Sequence, residues 1–290
     1  MKPWFHDIFV VPILDIPLEY HGSVFNDGSW GDGILKGNEF FMYPVYEGVP
    51  LFIDLSSISK SKILESANKY LELIRNNWRN VLRQYRMIPL WETLCKEIAS
   101  SNGTILEIGV GPGGGFMPCV IDLNADAKIL TNDIDYGVVF AWKKFFEEKD
   151  IAHNVSFAVF DATRMPLKSN SFDVVASFSG ISNIPFNYFA LKELHRVLKT
   201  NGKIVLVEGI IPQEDFSKLP DDVKIRWLSV SPFITKGYKD FLEQLGFKIK
   251  IYETYGEKTL TPEDSELARI AANYDVTLRF KGAHIVAVKQ

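Results

Sequence analysis

Cysteine is scarce in this chain of 290 residues, which contains only Cys95 and Cys119. The two lie far apart along the sequence and offer no disulfide framework, a usage that fits a reducing, cytoplasmic compartment. The five histidines are scattered as well, and with two isolated cysteines they provide no set of metal ligands. We therefore expect no metal site.

Long apolar runs and a strong charge of either sign are also missing. No stretch approaches the ~20 apolar residues of a membrane span. The apolar start, IFVVPILDIPL, is broken by Pro12, Asp15 and Pro17, and we interpret it as a strand and not as a signal peptide. A formal net charge of −4 and a pI of about 5.8 argue against a broad phosphate-binding surface. We expect neither a membrane nor a nucleic acid as the main partner.

The first part of the chain, residues 1–57, is rich in glycine, proline and aromatic residues. Its segment EFFMYPVYEGVPLFID predicts two short strands around a Glu-Gly turn, so we expect a small β module here. From Ser57 onward, apolar residues recur at helical spacing until Pro89 interrupts them, and a further helical piece ends near Gly103. We assign residues 58–290 to a second domain with an N-terminal helical lid.

Strands and helices alternate through the remainder of the chain. Short apolar runs predict the strands TILEIG, AKILTND, VSFAVFD, FDVVASF, KIVLVEG, FKIKIYETY and HIVAVK. Amphipathic stretches between most of them predict helices. This alternation indicates an α/β fold with a mostly parallel sheet, whose ligands bind beyond the carboxyl ends of the strands.

The stretch LEIGVGPGGG, residues 106–115, has five glycines in ten residues directly after a predicted strand. Such a turn lets the backbone approach a ligand and directs free helix N–H groups toward an anionic group. Asp133 ends the next strand about twenty residues on, where a carboxylate can accept hydrogen bonds from ribose hydroxyls. Glu107 lies inside the first strand; an acid there suits a ligand with a cationic amino group better than a pyrophosphate.

Four segments in order, LEIGVGPGGG, NDID, FDATRMPLKSNSFDVV and ELHRVLKTNGKIVLVE, resemble the class I S-adenosylmethionine-dependent methyltransferases. The nearest similarity is to the branch that acts on quinones, sterols and other small molecules, and it extends from about Ile105 to Gly209. The resemblance implies a Rossmann-like sheet of seven strands, mostly parallel with an antiparallel last strand. It implies S-adenosylmethionine as the cofactor, S-adenosylhomocysteine as its product, and transfer to an O, N or C nucleophile of a small molecule.

The resemblance also implies a role for each motif position. It places Glu107, Gly109, Gly111 and Gly113 under the methionine part of the cofactor. Asp133 would hold the ribose and Ile134 would pack on the adenine. Asp161 and the Ala162 N–H would meet the adenine edge, and the segment from Ser177 to Asn183 would face the methyl group and the acceptor. Asp135, two positions after Asp133, departs from the family pattern and is an alternative ribose ligand. No residue is identified as catalytic.

Three other functions are left open by the sequence. The segment YPVYEGVPLFID resembles the end of a zinc-ribbon-like domain that precedes some methyltransferases, rRNA methyltransferases among them, which keeps an RNA methyltransferase as an alternative. Because the cysteines of that domain are absent, the module would hold together by packing and would act as a lid or a homodimer contact. A nicotinamide-dependent oxidoreductase and a non-catalytic cofactor-binding subunit are the remaining candidates.

The small-molecule interpretation makes one further prediction, about the position of the acceptor. We expect its pocket between SFSGISNIP, the N-terminal helices and the insertion IPQEDFSKLPDDVKIRWLSVSPF. Apolar residues of that segment, with Trp227 and Phe233 among them, would either wall the cavity or pack the insertion onto the sheet.

Overall fold

A computed structural model describes residues 1–54, 58–151 and 153–290. The predicted domain boundary at residue 57 therefore lies outside the described residues. The described part contains two sheets, one of four strands and one of seven. None of its helices is both long enough and apolar enough to cross a membrane.

The smaller sheet is antiparallel and is built entirely from the N-terminal segment. Its strands, in spatial order, are β1 (Glu19–Val24), β2 (Trp30–Lys36), β3 (Met42–Tyr46) and β4 (Val49–Pro50). Glu47 and Gly48 form the predicted turn between β3 and β4, and both have positive φ, 49° and 76°. The predicted β module is confirmed, including its Glu-Gly hairpin.

The expected strand at the start of the chain is wrong. Residues Pro3–Ile8 form a 3-10 helix, and Phe9 and Val10 make only isolated bridges to Leu167 and Pro17. The segment is apolar because Phe5 and Phe9 are buried in the main hydrophobic core beside Phe172. An apolar run without strict alternation does not distinguish a strand from another buried segment. Here the packing of Phe5 and Phe9 in the core accounts for the apolar sequence.

Aromatic stacking holds the N-terminal module together. The indole of Trp30 lies between the rings of His6 and Tyr20, each with its centroid 4.3 Å away and nearly parallel. Trp30 is buried, and it belongs to the same core as Phe5 and Leu35. Stacked aromatic groups add to the stabilisation that their buried area provides.

We expect purified, untagged protein to contain less than about 0.2 zinc per chain, because a closed structural site would bind near full occupancy. Among the described residues no group of three or more His, Cys, Asp or Glu could hold a metal ion. Elemental analysis measures the metal content, and thermal unfolding with and without a chelator is the control. Near-stoichiometric zinc, or a chelator-dependent melting temperature, would contradict the prediction.

The larger sheet carries helices on its two faces and has the strand order β10-β11-β9-β8-β5-β6-β7. Its strands are β5 (Thr104–Ile108), β6 (Lys128–Asp133), β7 (Val155–Val159), β8 (Phe172–Phe178), β9 (Leu198–Ile210), β10 (Phe247–Thr259) and β11 (Arg279–Lys289). Only the last strand, β11, runs against the others, since both of its pairings are antiparallel and the remaining ones are parallel. The predicted seven-stranded, mostly parallel sheet is confirmed.

The helices follow the predicted order. They are α1 (Lys60–Gln84), α2 (Pro89–Ala99), α3 (Met117–Leu123), α4 (Tyr136–Lys149), α5 (Asn187–Val197), α6 (Gln213–Phe216), α7 (Asp221–Val230), α8 (Lys239–Gln244) and α9 (Glu266–Ala272). Ser59 caps α1 by accepting a hydrogen bond from the Lys62 N–H, and Pro89 begins α2 at a position where a missing N–H costs nothing. Helix α1 packs along α4, and this contact brings its C-terminal half beside the glycine-rich turn.

Candidate functional site

A cleft of about 870 Å³ opens at the carboxyl ends of the central strands. Strand β5 pairs with β6 on one side and with β8 on the other. The chain therefore adds β6 and β7 on one side of β5 and then crosses over to add β8 on the other side. The carboxyl end of β5 is the topological switch point of the sheet. Ligands of open α/β sheets bind at such a point.

The glycine-rich turn forms the floor of this cleft. Gly109 has a φ of +63°, and a Cβ built on it would lie 3.0 Å from the Cα of Gly180, which follows β8. A side chain at Gly109 would be strained and would push the two loops apart. The turn is further held by Asn77 of α1, whose amide donates to the Pro112 carbonyl at 3.0 Å, and by Trp142 of α4, whose indole donates to the Gly111 carbonyl at 2.8 Å.

Asp133, at the end of β6, tethers the same turn. Its Oδ2 accepts a hydrogen bond from the Gly111 N–H at 2.8 Å, and its Oδ1 accepts one from the Asp135 N–H at 3.0 Å. Burial raises the pKa of this carboxyl group above its usual range. Each carboxylate oxygen can accept a second hydrogen bond, so Asp133 holds the glycine turn and still presents acceptors to the cleft, which it lines.

Asp135, the alternative ribose ligand, is engaged elsewhere. Its Oδ1 accepts from the Gly137 N–H at 2.7 Å and caps α4, and its Oδ2 accepts from the Tyr70 hydroxyl at 2.7 Å. Asp135 does not line the cleft, whereas Asp133 does. The geometry favours Asp133 over Asp135 for binding a hydroxylated ligand.

The next expected residues lie along the same wall. Ile134 lines the cleft with 60% of its surface exposed, which is unusual for an apolar residue just after a buried strand. Asp161 and Ala162 follow β7 and line the cleft as well. The Asp161 Oδ1 accepts from the N–H and the hydroxyl of Thr163, at 2.8 and 2.7 Å, so this carboxylate is fixed in a tight turn.

Glu107 lies beneath the cleft and not on its surface. Its side chain is buried, and its Oε1 accepts a hydrogen bond from the Phe116 N–H at 2.5 Å, just before α3. Burial raises the pKa of Glu107 to about 8. A Cβ on Gly115 would lie 2.0 Å from the same oxygen, so a glycine at this position leaves room for the carboxyl group.

Ser177 is also placed below the surface. Its buried hydroxyl donates to the Ile108 carbonyl at 2.9 Å and does not line the cleft. It joins β8 to the end of β5 directly under the Gly109–Gly180 contact. One side of the cleft, floor and wall together, thus contains Gly109, Gly111, Gly113, Asp133, Ile134, Asp161 and Ala162. Glu107 and Ser177 lie behind this surface.

The other wall comes from the N-terminal helices, which the sequence analysis placed beside the acceptor pocket without assigning roles to individual residues. Helix α1 contributes Val81 and three amide side chains, Asn77, Asn80 and Gln84, which recur at helical spacing on one face. Trp91 of α2 faces Phe178, with ring centroids 5.1 Å apart. In sequence these amides look like an ordinary polar helix face, so no local signal identified this wall.

Two other aromatic residues of this helical region, Trp78 and Tyr85, pack in the core. Trp78 contacts the rings of Trp142, Phe145 and Phe146, and Tyr85 is fully buried. Trp91 of α2, by contrast, lines the cleft.

The insertion after β9 does not line the cleft among the described residues, and the expectation that it would wall the acceptor pocket is wrong. Ile211, Phe216, Leu219 and Val223 instead form a separate small core with Leu267, Ala271 and Leu278. Asp215 is buried there and pairs with Arg279 at 2.7 Å. The alternative, that its apolar residues pack the insertion onto the fold, is the one observed.

Comparison with known proteins agrees with this architecture. Residues 106–206 match a family model described as a methyltransferase domain. The ubiquinone/menaquinone biosynthesis C-methyltransferase UbiE of Rickettsia bellii (strain OSU 85-389) is 29% identical over 185 residues, which cover 61% of this chain and 74% of the relative. The demethylmenaquinone methyltransferase of Lactiplantibacillus plantarum is 24% identical over 163 residues, which cover 52% of this chain and 69% of the relative.

A solved structure from Bacillus halodurans C-125, described as a methyltransferase, superposes with a TM-score of 0.51 at 20% identity. The match covers 68% of this chain and 98% of that protein, and at this identity it shows a shared fold. The family match lies on the sheet that carries the cleft. Residues 106–206 therefore carry a methyltransferase domain, and the chain is an S-adenosylmethionine-dependent methyltransferase.

Proposed function

We propose that this enzyme methylates a small, apolar acceptor that carries no negative charge. The lining of the cleft supports this proposal. Its described residues include two carboxylates, Asp133 and Asp161, and no lysine, arginine or histidine. A phosphorylated or strongly acidic acceptor would enter without a cationic partner and beside two acids, which is unfavourable.

The first half of the cleft fits S-adenosylmethionine. We assign the backbone of Gly109, Gly111 and Gly113 to its methionine part, with Glu107 behind them near the amino group. Asp133 would accept from the ribose hydroxyls, and Ile134, Asp161 and Ala162 would surround the adenine, with Ser177 supporting the floor. When bound, S-adenosylmethionine supplies a methyl group already activated by its sulfonium. The residues of the chain therefore need to position the reactants and exclude water.

The second half of the cleft would receive the acceptor. Trp91, Phe178 and Phe186 line it together with the amides of Asn80, Gln84 and Asn183. This mixture of aromatic surface and neutral hydrogen-bonding groups is typical of pockets for small apolar ligands. Aligning an acceptor atom with the methyl group can contribute ~7–11 kcal/mol to lowering the barrier.

The same lining contains no histidine, cysteine, lysine or tyrosine among the described residues, so no general base is assigned. This favours acceptors whose nucleophilic atom is already electron-rich, such as the ring carbon or oxygen of a hydroquinone. Of two similar proteins, one is named as a C-methyltransferase of ubiquinone/menaquinone biosynthesis and the other as a demethylmenaquinone methyltransferase. We extend that ring chemistry to this chain as a proposal.

The N-terminal sheet and the division of the chain near residue 57 are part of the same proposal. We infer that residues 1–57 form a module supporting the methyltransferase domain of residues 58–290, whose first helices act as a lid. Helix α1 reaches the cleft through Asn77 and Asn80, which supports a lid role. A homodimer contact through the module and a cytoplasmic location are further predictions.

We expect radiolabelled methyl transfer from S-adenosylmethionine to an apolar hydroquinone, with dihydroxynaphthalene as the probe, and no strong binding to RNA. Phosphate-backbone binding requires several cations whose counterions are released together, and the cleft lining provides none. The measurement combines the transfer assay with filter-binding titrations of total tRNA and rRNA fragments at low and moderate salt. Sub-micromolar, salt-sensitive RNA binding would contradict a small acceptor and would favour an RNA methyltransferase.

A further inference from the structure

Glu208 is a fully buried carboxyl group on β9, outside the cleft lining and not among the residues assigned to the cofactor. Its Oε1 accepts a hydrogen bond from the Ile181 N–H at 3.2 Å, and its Oε2 accepts one from the Ser182 N–H at 2.8 Å. No cation forms an ion pair with Glu208 among the residues that the structure describes. An acid is costly to bury without such compensation, and the partners of this one are two backbone N–H groups and the Ser182 side chain, all of one loop.

Those two N–H groups belong to the loop that separates β8 from α5. Residues Ile181–Asn183 form a short 3-10 helix within it. The loop contributes Ser179, Gly180, Asn183 and the 184–186 segment to the cleft, where it makes much of the acceptor half. Glu208 therefore contacts the acceptor wall from behind.

The backbone of this loop is strained at both ends. Ser179 and Phe186 have φ values of 56° and 55°, in the left-handed region that residues other than glycine rarely adopt. The Ser179 N–H donates to the Val207 carbonyl at 2.6 Å, and the Phe186 N–H donates to the Val230 carbonyl at 2.7 Å. Such conformations persist only where surrounding contacts impose them, and they concentrate at functional sites.

The middle of the loop is held by Glu208 and by the Ile181 side chain, which is buried in the main core. Gly180 is packed against the floor of the cleft, since a Cβ on it would lie 2.7 Å from the Ile108 carbonyl oxygen. Between this contact and Phe186, the loop is held to the sheet through the two hydrogen bonds to the Glu208 carboxyl group. Removing these two hydrogen bonds would loosen the acceptor wall while Ser179 and Gly180 stay attached beside the cofactor half.

We propose that Glu208 is a positioning residue for the acceptor: its carboxyl group holds the Ile181 and Ser182 N–H groups so that residues 179–186 keep the shape that selects and orients the acceptor. The cofactor half does not depend on it. The acceptor part of this inference rests on the proposed function, whereas the loop part stands on the hydrogen bonds alone.

The test compares Glu208→Gln with the unmodified protein. A glutamine retains one acceptor oxygen but directs an amide donor at the second N–H, so one of the two hydrogen bonds is lost and a repulsive contact is introduced. We expect the Ile181 and Ser182 amides to exchange with deuterium at least about tenfold faster. Affinity for S-adenosylhomocysteine, measured by calorimetry, should stay close to that of the unmodified protein. With dihydroxynaphthalene, KM should rise with a smaller change in kcat.

Tyr238→Phe is the matched control, because it removes a buried hydroxyl that has no hydrogen-bond partner among the described residues. This phenol lies close enough to Glu208 for the carboxylate to contribute to raising the pKa of Tyr238, after burial as the main cause. The control should leave loop exchange unchanged. If Glu208→Gln does not fold, Glu208→Asp retains the carboxyl group on a shorter side chain and should show the same pattern of effects.

Two results would overturn the proposal. Unchanged protection of the Ile181 and Ser182 amides would show that Glu208 does not hold the loop. A loss of S-adenosylhomocysteine affinity equal to the loss of acceptor activity would indicate a merely structural role. Failure of the unmodified enzyme to methylate dihydroxynaphthalene would count against the proposed acceptor and would leave the exchange and affinity measurements to decide the role of Glu208.

Discussion

Replacing Asp133 with alanine is expected to weaken S-adenosylmethionine binding about ten- to a hundredfold, because a hydrogen bond to a charged group contributes ~1.5–3 kcal/mol. The substitution removes the acceptors that we assign to the ribose hydroxyls. It also removes the acceptor for the Gly111 N–H, which ties the glycine turn to β6 at 2.8 Å. Both losses act in the same direction, and titration calorimetry with S-adenosylmethionine and S-adenosylhomocysteine measures their sum.

Asp135→Ala provides the matched control for that experiment. It deletes a carboxylate two residues away that caps α4 and binds the Tyr70 hydroxyl. Loss of an N-terminal cap costs ~1 kcal/mol of stability, so the melting temperature should fall while cofactor affinity stays near its original value. The opposite pattern, with Asp135→Ala weakening the cofactor and Asp133→Ala leaving it intact, would move the ribose contact to Asp135.

Replacing Glu107 with glutamine is expected to abolish a proton release that accompanies S-adenosylmethionine binding. Burial raises the pKa of Glu107 to about 8, so the carboxyl group holds its proton at neutral pH in the free protein. A cationic amino group nearby favours the charged form and expels that proton. Affinity should therefore rise with pH up to about pH 8, by as much as ~10-fold per pH unit. Calorimetry in buffers of different ionisation enthalpy measures the proton release.

The same residue should affect stability in the opposite sense. Glu107 and Glu208 both have a pKa of about 8 in the folded chain, against an ordinary value of 4.5. Between these values the unfolded chain has lost protons that the native protein still holds, so the free energy of unfolding should fall as pH rises. Each pKa unit corresponds to ~1.4 kcal/mol, so the total decline should reach several kcal/mol.

Glu107→Gln and Glu208→Gln separate these two effects. Each variant removes one of the two titrating groups, so each should make the decline of the unfolding free energy with pH shallower. Only Glu107→Gln should abolish proton release on S-adenosylmethionine binding, because Glu208 lies behind the acceptor wall. Proton release that survives in Glu107→Gln would contradict the placement of Glu107 near the amino group of the cofactor.

The sequence by itself determined the central architecture. Alternating buried strands and amphipathic helices define a parallel α/β sheet, because that is the arrangement in which each apolar strand is covered on both faces. The glycine-rich turn and the acid at the end of β6 lie close in space for the same reason, since neighbouring parallel strands end at one edge. The positions of Gly109, Gly111 and Asp133 in the cleft follow from this arrangement of the strand ends.

Only the tertiary structure decided what stands opposite those residues. Asn77 and Asn80 reach the cleft because α1 packs along α4, and their amides read in sequence as an ordinary polar helix face. The apolar insertion could wall a pocket or form its own core, and its partners Leu267 and Leu278, more than forty residues further on, settled the choice. Glu208 reads as one polar residue at the end of a strand; its role lies in hydrogen bonds to residues 26 and 27 positions earlier, which hydrophobic periodicity does not encode.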